Sequence, residues 1–160
     1  MLRIGYSSDI HKLVKNRPLI LGGVKINFSK GEEAFSDGDV LIHAISEAIL
    51  GALALGDLGR HFPNSKENKN INSVKILNFV CKKMADKKYS INNIDASIFL
   101  EKPNLSTYIL KIRRNLSKLI NISVEQISVK ACTNEGFDSV GKGQSIVVSA
   151  IVLLTKNKND

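Results

Sequence analysis

Asp9-Ile10-His11 closes an alternating segment that begins at Leu2. The alternation predicts a strand over Leu2–Ile10, and on a strand residues i and i+2 share a face. A carboxylate and an imidazole are thereby presented together, with Ile10 turned into the core. His43 follows the acidic run Ser36-Asp37-Gly38-Asp39 and stands in the first turns of a strongly apolar segment. One carboxylate and two histidines make a ligand set suited to zinc, leaving a fourth tetrahedral position open. An open position belongs to catalytic rather than structural sites. D-x-H is a short pattern, and solvated or capped polar residues are the alternative for the same three positions.

Two further runs could do chemistry. Leu55-Gly56-Asp57-Leu58-Gly59 is a helix stop followed by a carboxylate in a glycine turn, which exposes backbone N–H groups beside one acceptor. An ordinary helix cap would use the same residues. Lys130-Ala131-Cys132-Thr133-Asn134-Glu135-Gly136 ends an apolar strand in small polar groups, where phosphate contacts and Mg²⁺-binding carboxylates tend to sit. Its alternative is a plain β-turn.

These positions need elements to hold them. Leu19–Leu21 and Val24–Ile26 flank Gly22-Gly23, a two-residue hairpin signal. Gly31 to Gly38 reads as a loop. Val40–Leu55 carries apolar residues at helical spacing on most sides, with Asp39 to cap its start and Gly56 to end it, so the helix is buried. Gly56–Asn72 is a polar connection. Further helices fit Ser73–Lys87 and Leu105–Leu119, and strands fit Ile94–Leu100, Ile127–Cys132 and Ser145–Leu154. The prediction is one α+β domain over 1–160, a two-layer sandwich with a mixed or antiparallel sheet and about three helices on one face. The other face then lacks a helical cover, and a bare apolar sheet face calls for a partner subunit.

Composition limits the function classes. The chain has 160 residues, 43% of them hydrophobic and 24% charged, enough to bury a core and too few polar residues for disorder. A net charge of +8 favours anionic partners without choosing among them. Aromatic residues are 6% with no tryptophan, and no nucleic-acid motif is present, so a nucleic-acid partner is not expected. No apolar run approaches the length of a membrane span, and Met1–Gly5 leads straight into a strand pattern without a signal peptide. Cys81 and Cys132 form no C-x-x-C pair, which favours a reduced, cytoplasmic setting, or a plastid-like organelle after processing.

Taken together, Asp9-x-His11, Ser36-Asp37-Gly38-Asp39-Val40-x-x-His43-Ala44, Leu50-Gly51-Ala52-Leu53-Ala54-Leu55-Gly56-Asp57-Leu58-Gly59 and Phe62-Pro63 resemble the 2-C-methyl-D-erythritol 2,4-cyclodiphosphate synthase family. Ile20-Leu21-Gly22-Gly23-Val24 and Lys130-Ala131-x-Thr133-x-Glu135 extend the match to the rest of the chain. The resemblance implies a homotrimer whose sheets face a threefold axis, with active sites between subunits. It implies cyclisation of 4-diphosphocytidyl-2-C-methyl-D-erythritol 2-phosphate with release of CMP, a phosphorus–oxygen lyase step of non-mevalonate isoprenoid synthesis. Asp9, His11 and His43 would hold Zn²⁺ or another divalent cation, and Glu135 would hold Mg²⁺ or Mn²⁺ with the substrate phosphates. Thr133 would stabilise the pentacoordinate phosphorus. Asp57 and Gly59 would hold the methylerythritol hydroxyls, and Ser36, Leu58 and Phe62 would also bind the substrate. Leu100, Pro103, Asn104, Leu105, Ala131 and Cys132 would form the cytosine and ribose pocket of the neighbouring subunit, and Lys142 would lie near the axis.

Several positions depart from that pattern. Ser7 and Ser8 replace a glycine and an aromatic residue, Glu47 and Asn64 stand for aspartates, Asn104 replaces a lysine and Cys132 a threonine. Ser139, Lys142 and Gln144 stand for Phe, Arg and Glu; Lys142 keeps the charge without the bidentate fork. Phe35 occupies the place of a catalytic histidine and cannot donate a hydrogen bond. Losing one donor at a charged transition state costs about 2.7–4 kcal/mol when uncompensated. Phe35 and Asn104 therefore raise a second reading, a trimeric paralogue that binds a nucleotide or isoprenoid diphosphate without turnover.

Overall fold

The computed structural model describes residues 1–157, so the last three residues of the expected 1–160 domain fall outside it. Its elements run β1 (Leu2–Lys15), β2 (Leu19–Leu21), β3 (Val24–Ile26), β4 (Lys30–Glu33), α1 (Val40–Ala52), α2 (Leu58–His61), α3 (Ser73–Asp86), β5 (Tyr89–Phe99), α4 (Ile109–Ile120), β6 (Ile127–Cys132), α5 (Asp138–Gly141) and β7 (Ser145–Lys156). The main sheet has the order β4-β1-β7-β5-β6, with β5 and β6 parallel and the other pairs antiparallel. It is the mixed sheet of an α+β fold, with the long helices on one side.

Alternation along β1 decides what each face does. Gly5, Ser7, Asp9, His11 and Leu13 point under the helices, and Leu2, Ile4, Tyr6, Ser8 and Ile10 point away. Gly5 lies directly beneath α1, where a Cβ would come within 1.8 Å of the Ala48 carbonyl oxygen. Helix and strand are therefore in backbone contact just before the Asp9–His11 pair. The side chains of α1 fill the space between helix and sheet: Leu41, Ile42, Ile45, Ile49 and Leu50 are all fully buried. Each contributes about 1.5–3 kcal/mol by leaving water.

Four expectations need correction. Ile10 is not in the core; it is 58% exposed on the uncovered face, beside Ile4 and Tyr6. A strand residue that leaves the helix-covered side has only that open face to occupy. The Gly31–Gly38 loop contains a strand, β4, because β1 runs on to Lys15 and pairs with it. Its polar composition hid it. α1 stops at Ala52 rather than Leu55: Leu55 N–H donates to the Leu50 carbonyl and Ala54 N–H to that of Gly51, with Ala54 left-handed at φ 55°. This is a Schellman ending on alanine, a residue type that carries no such signal. α4 begins at Ile109 rather than Leu105, after a turn opened by Asn104, whose Oδ1 accepts from Ser106 N–H at 2.8 Å. Within Gly56–Asn72 lie the short α2 and a 3₁₀ turn over Lys66–Asn68.

The β2–β3 hairpin forms as predicted, with Gly22 and Gly23 both at positive φ. Its tip is tied to α1 by the buried Asp39, which accepts from Gly22 N–H at 3.0 Å, Gly23 N–H at 2.6 Å and Ile42 N–H at 3.0 Å. Beside it, Glu32 on β4 is fully buried and faces Ile20 N–H and Val40 N–H. Burial, reinforced by the Asp39 charge, pushes the Glu32 carboxyl up to about 9. Asp39, at the N-terminus of α1 with three donors, is the member of the pair that keeps the negative charge.

Glu32 thus holds a proton in the folded chain that an unfolded carboxyl releases at roughly pH 4.3. Between those values the folded state binds more protons, so stability falls as pH rises. The thermal midpoint is expected to drop from about pH 5 to about pH 9. Glu32→Gln, which cannot ionise, is expected to flatten that slope in a series of melting curves.

Candidate metal centre and active site

Asp9 and His11 reach the helix-covered side together because they are two residues apart on β1. His43 descends on them from the first turn of α1, whose start Asp39 holds in place. Asp9 Oδ2 lies 3.3 Å from His11 Nε2 and 3.5 Å from His43 Nδ1. One ligand atom from each of the three residues falls within 4.8 Å of the others. A tetrahedral zinc ion with bonds of about 2.0–2.1 Å separates its ligand atoms by roughly 3.3–3.4 Å. The two short edges of this triangle match that spacing, and an N, N, O donor set suits a divalent cation.

The outward-facing atoms are also engaged. Asp9 Oδ1 accepts from Ile10 N–H at 2.8 Å, and His11 Nδ1 lies 3.0 Å from the Gly38 carbonyl oxygen. A carbonyl only accepts, so His11 carries a hydrogen on Nδ1, and Nε2 is the nitrogen that faces Asp9. His43 Nε2 lies 3.2 Å from Ser36 Oγ and 3.0 Å from Ser73 Oγ. Burial pushes the Asp9 carboxyl upward, but hydrogen bonds and charge from His11 and His43 outweigh it and hold Asp9 well below the usual carboxylate range. Asp9 is therefore a carboxylate throughout the neutral range.

The triad lines a cavity of about 350 Å³ together with Phe35, Ser36, Leu58, Gly59 and Phe62. Asp57 is not among the residues lining this cavity; it caps α2, accepting from Arg60 N–H at 2.9 Å, so the helix-cap role foreseen as an alternative is present. Phe35 is 40% exposed and offers no polar atom to the cavity. A second cavity of about 260 Å³ is lined by Leu100, Pro103, Asn104, Leu105, Ala131, Cys132 and Thr133. The two cavities share no residue. Thr133 Oγ1 donates to Glu135 Oε1 at 2.8 Å, and Glu135 itself is exposed with a left-handed backbone at φ 51°. Lys142 lies elsewhere, with Phe28, Lys30 and Glu101. One chain therefore gathers the metal ligands in one place and the Leu100–Thr133 set in another.

Sequence reading passed over three contributors. Glu47 lines the first cavity and accepts from Leu58 N–H at 3.0 Å, holding the Leu58–Gly59 turn against α1. Burial raises its carboxyl above the ordinary value. Its spacing of four residues from His43 was the available signal, since i and i+4 share a helix face. Ser73 and Asp37 meet His43 only through the fold, and no local pattern links them.

A model of the YgbB family matches residues 2–155. The 2-C-methyl-D-erythritol 2,4-cyclodiphosphate synthase of Clostridium kluyveri is 50% identical over 157 residues, covering 98% of this chain and 96% of that protein. The protein of the same name from Brachyspira hyodysenteriae is 47% identical over 158 residues, covering 98% and 100%. Among solved structures, the CDP complex of IspF from Plasmodium falciparum superposes with a TM-score of 0.88 at 36% identity, over 98% of this chain and 97% of that one. The bifunctional IspDF of Campylobacter jejuni gives a TM-score of 0.92 at 34% identity over 96% of this chain, which spans 42% of that longer protein.

Removing a ligand leaves two of three donors, which no longer define an open tetrahedral site. His43→Ala is expected to weaken Zn²⁺ binding at least about tenfold, read as metal content by atomic emission after dialysis. Unchanged zinc content would remove His43 from the ligand set.

Proposed function

The chain belongs to the YgbB family, and from that premise we propose that it cyclises 4-diphosphocytidyl-2-C-methyl-D-erythritol 2-phosphate to 2-C-methyl-D-erythritol 2,4-cyclodiphosphate, a step of non-mevalonate isoprenoid synthesis. The observation that carries this reading is 50% identity to a synthase of that name over nearly the whole of both chains. The activity is that of a cyclodiphosphate synthase, in chemical class a phosphorus–oxygen lyase. Residues 1–160 act as one such domain. The reading without turnover is not favoured by these relatives.

An oxygen of the 2-phosphate attacks the β-phosphorus, the bond from that phosphorus to the bridging α-phosphate oxygen breaks, and CMP leaves. Both partners are anionic, so the site must bring them together against repulsion, and holding the substrate folded supplies much of the acceleration. Asp9, His11 and His43 hold a divalent cation, Zn²⁺ in this reading, which when bound supplies Lewis-acid neutralisation of phosphate charge. Glu135 would hold Mg²⁺ or Mn²⁺ together with the substrate phosphates, a carboxylate being a usual partner of such ions, and the ion would offset phosphate charge. Thr133 offers its hydroxyl to the phosphorus centre. Ser36 and the Asp57–Gly59 turn orient the methylerythritol end, Phe62 closes it from water, and Phe35 screens the phosphates without donating. Leu100, Pro103, Asn104, Leu105, Ala131 and Cys132 receive the cytidine.

Because the two cavities lie apart on one chain, a complete site needs two copies. The open sheet face supplies the contact: Ile4 is 72% exposed, Tyr6 64% and Ile10 58%, an apolar surface that calls for cover. Three copies packed on these faces form the working homotrimer, and Lys142 lies toward its axis. No helix among the described residues is long and apolar enough to cross a membrane. The setting proposed is the cytoplasm.

Incubation with the diphosphocytidyl substrate, Zn²⁺ and Mg²⁺ is expected to release CMP; absence of CMP from zinc-loaded chain would overturn the assignment. Thr133→Ala is expected to lower kcat about 10²- to 10³-fold. Phe35→His restores a donor and is expected to raise kcat. Sites built between copies make a further test. His43→Ala and Thr133→Ala chains, each strongly impaired alone, should regain CMP release when dissociated and reassembled together, whereas sites within one chain would show no recovery.

A further inference from the structure

We propose that Ser73, backed by Asp37, is a positioning residue that selects the tautomer in which His43 offers Nδ1 to the metal; the inference rests on the metal site described above. Ser73 is the first residue of α3 and is fully buried. Its hydroxyl donates to Asp37 Oδ1, and its backbone N–H donates to Asp37 Oδ2 at 3.0 Å. Asp39 N–H also reaches Asp37 Oδ1, at 3.3 Å. A carboxylate has no hydrogen to give, so the hydroxyl hydrogen of Ser73 must point at Asp37. What Ser73 then presents to His43 is a lone pair, 3.0 Å from Nε2.

The imidazole has to meet that lone pair with a hydrogen. A neutral ring carrying hydrogen on Nε2 has its lone pair on Nδ1, and Nδ1 is the atom turned toward Asp9. Ser36 Oγ, 3.2 Å from the same nitrogen, accepts from Gly38 N–H at 3.1 Å and reinforces the arrangement without deciding it. His11 is set the opposite way by the Gly38 carbonyl, which keeps hydrogen on Nδ1 and frees Nε2. Two adjacent histidines thus direct different nitrogens at one point, each chosen by a partner on a different segment. Ser73 touches neither substrate nor cation in this scheme; it acts through His43.

The test uses the full-length chain. In ¹⁵N–¹H spectra of Zn²⁺-loaded, histidine-labelled protein, His43 is expected to bind the metal through Nδ1 with hydrogen on Nε2, and His11 through Nε2 with hydrogen on Nδ1. Ser73→Ala keeps the Asn72 cap of α3 and is expected to weaken Zn²⁺ binding about 10- to 100-fold, to give His43 a mixture of tautomers and to leave His11 unchanged. Ser73→Thr, which restores an accepting hydroxyl, should recover most of the affinity. Hydrogen on Nδ1 of His43 in the unaltered chain would overturn the proposal, as would Ser73→Ala that binds Zn²⁺ like the unaltered chain. If the unaltered chain binds no Zn²⁺, the metal reading fails; if it binds Zn²⁺ and Ser73→Ala binds equally well, only the role of Ser73 fails.

Discussion

A single buried carboxylate sets the position of everything that follows it. Asp39 is 1% exposed and accepts from three backbone N–H groups, two at the hairpin tip and one in the first turn of α1. Charge-assisted bonds of this kind are roughly twice as strong as neutral ones, and leaving those donors unmet in the core would be costly. They lock the hairpin to the helix start, and His43 comes one turn later. The neighbouring Glu32 cannot also be charged, because two buried carboxylates at this distance repel and only one has a full set of donors. The core therefore contains one negative charge and one retained proton where the sequence shows two acids.

β1 links the candidate metal site to the open sheet face through its period of two. Its odd-numbered residues supply the candidate metal ligands Asp9 and His11 and the glycine that lets α1 approach. Its even-numbered residues, Ile4, Tyr6 and Ile10, form the apolar face left open. β7 continues that face, pairing Ile151 with Tyr6 and Val147 with Ile10. A one-residue slip in register would exchange the two sets and disrupt both faces at once. The two cavities are kept apart in the same way, since the candidate ligands lie under α1 and the Leu100–Thr133 set lies at the ends of β5 and β6.

Some of this was readable in the residues before any coordinates. Period-two alternation in β5, the continuous apolar run of β7 and helical spacing in α1 and α3 report burial directly, because one face of β5 and α3 and most sides of α1 are covered. The Gly22-Gly23 pair reports its turn because few other residues accept that backbone. Asp39 reads as a cap, and Asp9, His11 and His43 read as ligands by type. The misplacement of Ile10 has a different origin: alternation shows that neighbours face opposite ways, but it does not say that one way lacks a cover. β4 was missed because its strand character comes from pairing with the end of β1, and the residues Lys30–Glu33 have no strand preference of their own.

Local order, then, was determined by the sequence alone: which segments are helices and strands, which residue types could bind a cation, and which long similarity ties the chain to its family. Tertiary structure decided what those residues face. The convergence of Asp9, His11 and His43, the approach of Ser73 to His43, the contest between Glu32 and Asp39 for one proton, and the separation of the two cavities all join residues distant in the chain. Spacing along a chain reports only neighbours on the same element, whereas these contacts depend on how separate elements pack, and packing is settled by the shared core.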